Sequence, residues 1–125
     1  MKLPTVFLTL VFATGSAWAE WVKLGTAPGA TYYIDIQTVQ IKGQLRSVWE
    51  LTNFDQRFKD GATSHKHLVE YDCENQKVRL LEFNSFTEQF GAGDLVNSSQ
   101  PTASSWLATP ANSPRGAKIK LVCAK

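Results

Sequence analysis

Two cysteines and two histidines are the side chains in this sequence best suited to making bonds, and their setting decides what each pair does. Cys73 and Cys123 are the only thiols. They lie behind a start that reads as a secretory leader. Met1-Lys2 is positive, Leu3 to Ala13 is an apolar run, and Ala17-Trp18-Ala19 fits the small-x-small pattern that signal peptidase cuts, just before Glu20. An exported chain meets an oxidising compartment, where two thiols pair rather than stay free. A Cys73–Cys123 disulfide is therefore expected. It would close a loop of about 50 residues, worth on the order of 4 kcal/mol through the restricted unfolded chain, a large share of a usual stability of roughly 5–15 kcal/mol.

His65 and His67 form an H-x-H pair on one strand face, a spacing that some metal sites use. Zinc needs three or four ligands, and these are the only histidines, with Glu70 and Asp72 on the opposite face of the same strand. Partly packed or solvated histidines and no metal are expected. The carboxylate pairs Glu70/Asp72 and Glu82/Glu88 would need a cleft and shifted pKa values to work as acid and base; alternating charges on a strand are normally its wet face. The sequence carries no serine elbow, phosphate loop or Cys–His dyad. Hence no catalytic residue, no cofactor and no enzyme are expected, and no ligand-binding residues can be assigned. Trp21, Trp49 and Trp106 with Tyr32, Tyr33 and Tyr71 could stack a sugar ring or haem, but at inward phases such aromatics more often fill a small core. Arg57-Phe58-Lys59 is a small basic-aromatic loop tip. Asn97-Ser98-Ser99 is a glycosylation sequon that matters only in a eukaryotic secretory route.

The leader's apolar stretch is about half of the roughly 20 residues that span a bilayer. No second long apolar run follows, and no cysteine near the cut could carry a lipid. Residues 1–19 are thus expected to leave as a signal peptide and residues 20–125 to form one soluble domain without a stable membrane anchor. Lys2 leaves with the leader, which lowers a formal net charge of only +2 and gives no general drive toward nucleic acid or anionic lipid.

The rest reads mostly as strands. Thr31 to Ile36 is β-branched and aromatic. Lys42-Gly43 marks a turn, and Leu45 to Phe54 alternates, with Leu45, Trp49 and Leu51 on one face and Arg46, Glu50 and Thr52 on an expected wet one. Asp55 to Ser64 is a polar loop. Lys66 to Cys73 alternates again, with His67, Val69, Tyr71 and Cys73 inward. Lys77 to Thr87 changes phase, since Val78 and Leu80 oppose Leu81 and Phe83, as a bulge or burial on both sides would require. Phe90 to Ser105 is loop-like around a brief strand at Leu95-Val96, and Trp106 re-enters the core. Ser113-Pro114 is a helix start for a stripe of Ala117, Ile119, Leu121, Val122 and Cys123. The alternation of Ile119, Leu121 and Cys123 with Lys118 and Lys120 would also suit a strand; the start signal favours the helix.

Placed in that order, the chain resembles the surface-adhesin protein E family of bacteria. The matching pieces are Tyr32-Tyr33-Ile34-Asp35, Val48-Trp49-Glu50-Leu51, Val69-Glu70-Tyr71-Asp72-Cys73 and Val78-Arg79-Leu80-Leu81. A Gly91-x-Gly93 stretch, Trp106, Pro110, Ser113 and Leu121-Val122-Cys123 complete the set. The resemblance implies an α+β fold, a single antiparallel β-sheet with a C-terminal helix packed on one face and tied there by the disulfide. It implies an exported protein, periplasmic or secreted in a Gram-negative bacterium, that binds a host or envelope protein by protein–protein contact. The lipid-anchor cysteine of surface-displayed members is absent here. A different class, a periplasmic small-ligand or metal carrier using the aromatic face or His65/His67, is the alternative. Exposed aromatics in a concave pocket would mark a carrier; a broad flat polar face, or a sheet edge with unpaired backbone groups, would mark a contact protein.

Overall fold

Short turns between alternating segments fold the chain into an up-and-down antiparallel sheet. The structure is a computed structural model that describes residues 2–5, 19–102 and 104–125. Most of the expected leader lies outside those residues. Among the described residues the strands are β1 (Val22–Ala27), β2 (Ala30–Lys42), β3 (Leu45–Phe54), β4 (Ser64–Asp72), β5 (Lys77–Phe86), β6 (Leu95–Ser99) and β7 (Leu107–Ala108), with one turn of 3-10 helix at Gln89–Gly91 and an α-helix, α1 (Pro114–Cys123), at the end. Strands β1 to β6 lie side by side in chain order, while β7 pairs with the start of β5. The α+β fold expected from the resemblance is the one observed.

Two of the turns have a plain local cause. Gly43 opens the β2–β3 turn at φ +60°, a backbone angle that glycine adopts without a Cβ clash. Asp72 closes the β4–β5 turn, its carboxylate accepting from Glu74 N at 3.1 Å, Asn75 N at 3.0 Å and Asn75 Nδ2 at 2.8 Å. The phase change read in β5 is a bulge: Glu82 faces Leu68 and Leu80 faces Val69, so Leu81 is the extra residue. Sequence reading passed over β1 and β7.

One face of the sheet carries the core. Ile34, Val48, Val69, Tyr71 and Val78 pack against Ile119 and Val122 of α1. Burying a side chain of this size is worth about 1.5–3 kcal/mol, which is how a ten-residue helix, marginal in isolation, stays formed. Ser113 caps it, accepting from Gly116 N at 3.1 Å, and Pro114 occupies the first turn. The buried stripe is Gly116, Ile119 and Val122, so Leu121 and Ala117 lie exposed rather than inward. The Arg46/Glu50/Thr52 side of β3, expected to be wet, is the side that α1 covers: Glu50 and Thr52 are buried.

The opposite face is closed by the segment after β5. Phe90 meets the Tyr33 ring edge-on at 5.1 Å. Its N–H donates to Asn53 Oδ1 at 2.8 Å, and Ser64 Oγ accepts from Gly91 N at 3.0 Å. Leu51 is buried beneath it. Both faces of β3 are therefore covered at its centre. Trp106 does not enter the core; it is half-exposed and lies under the Arg79 guanidinium, 4.4 Å from the ring centre.

Candidate interaction surfaces

A polar clasp joins α1 to the sheet. Cys73 follows the last residue of β4 on its core face and bonds to Cys123 in the last turn of α1, with Cα atoms 5.8 Å apart. At the middle of the helix, Lys118 Nζ lies 2.8 Å from Glu50 Oε1, and Tyr71 Oη donates to Glu50 Oε2 at 2.8 Å. Burial and the neighbouring Glu50 carboxylate push the Tyr71 phenol far above its ordinary value. A carboxylate taken out of water needs such partners, because the desolvation cost otherwise runs to several kcal/mol. His67 stands directly opposite Glu50 in the β3–β4 register. Burial holds its imidazole below the ordinary value; Glu50 works against that, while Lys118 and His65 add to it. These groups line a small cavity of about 150 Å³ between α1 and the sheet.

His65 lies two residues before His67 on the same strand, but its ring is taken up by aromatic neighbours. It sits in an aromatic cluster, stacked on Phe58 at 5.6 Å and edge-on to Phe54 at 4.6 Å and Phe83 at 4.8 Å. Among the described residues no group of three His, Cys, Asp or Glu side chains is arranged to hold a metal ion. Three of the four candidate carboxylates also have structural partners. Glu70 Oε1 accepts from Arg79 Nε at 2.9 Å, Glu82 Oε1 accepts from Gln100 Nε2 at 2.8 Å, and Asp72 caps its turn. Phe58 of the basic-aromatic loop tip is exposed beside this cluster, and Arg57 is turned back onto the carbonyls of Gly61 and Thr87. Of the six aromatics weighed as platforms, only Tyr71 is in the core.

A groove of about 650 Å³ lies between β1 and the start of α1. Leu24, Ala27, Pro110, Pro114 and Ala117 supply apolar wall, and Arg115 and Lys118 supply charge. Leu24 owes its place to a bulge. Lys23 faces Tyr33 and Gly25 faces Tyr32, so Leu24 has no cross-strand partner and its side chain is re-aimed beside the groove. Strand β1 is also the first in the sheet, and among the described residues only β2 pairs with it. Alternate N–H and C=O groups along β1 thus face outward, as at any sheet edge. The Pro28-Gly29 turn flanked by two strand-like runs is the signal that could have revealed β1. Lys118 and Arg115 left no comparable signal, because their roles depend on where the helix lands.

A one-sheet α+β domain with its C-terminal helix stapled across one face is the class that this architecture defines. The chain belongs to the surface-adhesin protein E family, whose profile matches residues 21–124. Solved structures of Haemophilus influenzae protein E share the fold. One aligns with a TM-score of 0.66 at 16% identity, covering 88% of this chain and 79% of that one. Its selenomethionine form gives 0.64 at 17%, covering 82% and 86%, and crystal form II gives 0.62 at 18%, covering 82% and 96%. No curated protein sequence matches the chain. Among the described residues no helix is long and apolar enough to cross a membrane.

Proposed function

We propose that this chain is an exported, non-enzymatic binding protein of the adhesin E type, periplasmic or secreted after cleavage behind Ala19, and that it acts by contact with a host or envelope protein. The observation that carries this reading is the open β1 edge beside the α1 groove. It offers backbone hydrogen-bonding groups and apolar wall along one line, the form in which sheet proteins take up segments of other proteins. Family membership supports it from a second direction. A carrier would enclose its ligand, burying most of the ligand surface, whereas this groove runs along an edge.

The test uses the oxidised mature protein, residues 20–125, over a panel of purified extracellular-matrix and envelope proteins. Saturable binding to one of them, competed by unlabelled protein, is the expected result. Binding to none of them, together with a small molecule or metal ion held stoichiometrically in native mass spectrometry, would overturn the proposal in favour of the carrier.

A further inference from the structure

The β1–α1 groove has a chemical character that selects among protein segments, and this inference rests on the contact reading above. Its lining holds two cations, Arg115 and Lys118, and no carboxylate. Lys118 is already neutralised by Glu50 at 2.8 Å. Arg115 is exposed and makes no ion pair among the described residues. A guanidinium beside an apolar wall, without a partner of its own, is suited to a carboxylate presented next to an apolar side chain.

We infer that the groove is a docking site for an extended, acidic segment of a partner protein, with an apolar side chain of that segment seated against Leu24 and Pro114 and a neighbouring carboxylate paired with Arg115. Period-two alternation in an extended segment brings every second side chain to one face, so an apolar residue points into the groove while the residues beside it lie along the rim. The bulge at Leu24 interrupts the β1 ladder. Regular pairing resumes at Gly25 to Ala27, so the backbone groups there can still meet an extended segment while the side chains select it: Leu24 for apolar fit and Arg115 for charge.

The test titrates a capped peptide of alternating glutamate and valine, and its lysine–valine counterpart, into nitrogen-15-labelled mature protein. Amide shifts at Leu24–Ala27 and Arg115–Lys118 with the acidic peptide, and none there with the basic one, are expected. Arg115→Glu should weaken the acidic peptide roughly tenfold and make the basic peptide the tighter ligand. Leu24→Asp should weaken the acidic peptide too. Raising salt from about 50 to 500 mM should loosen the wild-type complex, a readout that needs no variant. Shifts elsewhere, equal binding of both peptides, or an Arg115→Glu protein that binds as the wild type does would overturn the inference. If matrix-protein binding is saturable yet indifferent to Arg115→Glu, the groove assignment fails and the contact function stands. If the peptide binds and no matrix or envelope protein does, the function fails and the groove assignment stands.

Discussion

Glu50 shows how far a single residue can depart from its pattern. Alternation placed it on the correct face of β3, but a carboxylate among Arg46 and Thr52 reads as solvent-facing, and nothing local says that a helix starting only at Pro114 will bring Lys118 to cover it. The partners decide its burial. Removing the charge while keeping the volume, Glu50→Gln, leaves Lys118 facing a neutral amide. It should cost roughly 2–3 kcal/mol in urea unfolding, somewhat under the usual penalty for breaking a fully buried pair because Lys118 reaches solvent. An unchanged midpoint would mean that the clasp holds nothing. His67 adds a pH dependence. Its folded-state pKa lies below the unfolded value, with burial the main cause, so the unfolded chain binds the proton more readily. Its contribution is fully present above about pH 6.5 and is lost as pH falls through the lowered folded value. His65 shifts in the same direction, again mainly through burial and against the pull of Asp60. Stability should therefore be lower at pH 5.5 than at pH 7.5, with a smaller difference in His67→Gln. An equal pH difference in that variant would remove His67 from the account.

At the scale of elements, the strands were legible wherever one face had to be apolar. β4 kept its expected phase because Val69 and Tyr71 meet the core that the period demands. The break in β5 was legible as a break, since no single phase suits both Val78-Leu80 and Phe83. β1 was missed because its burial is slight and its bulge spoils the alternation. Trp106 was misplaced because an aromatic residue satisfied by an overlying guanidinium looks, in sequence, like a core residue. The helix was legible from Ser113-Pro114, and so were Ile119 and Val122 of its buried stripe; Gly116 was not, because a glycine carries no apolar signal. Gly116 lies so close to the preceding loop that an added Cβ would collide with the Pro110 carbonyl. Gly116→Ala should thus destabilise the protein by about 1–3 kcal/mol, despite alanine's better helix propensity. A more stable Gly116→Ala protein would show that the helix start is not pinned there.

For the whole molecule, the disulfide and the resemblance together predicted the architecture, and both hold. The bond joins residues 50 positions apart and ties the last element to the sheet, so the groove exists only while α1 is docked. Reduction, or Cys123→Ala, should lower the melting temperature strongly, consistent with about 4 kcal/mol of lost chain restriction. It should also raise amide exchange in α1 before exchange in β3 and β4. Cys73→Ser should match Cys123→Ala, since either change breaks the same bond. Melting of both variants with the wild type would leave the staple without a role. The site was less legible than the fold: neither Leu24 nor Arg115 belongs to a motif, and each gains meaning only from the other's position across the groove.

The measurement that bears most directly on this account is hydrogen exchange of the oxidised mature protein, free and bound to a captured matrix or envelope protein. Slowed exchange in β1 and across residues 110–118, with the Asp55–Thr63 loop and β6 unaffected, is the predicted result. Protection confined to that loop and β6, with β1 and the start of α1 exchanging as in the free protein, would contradict it.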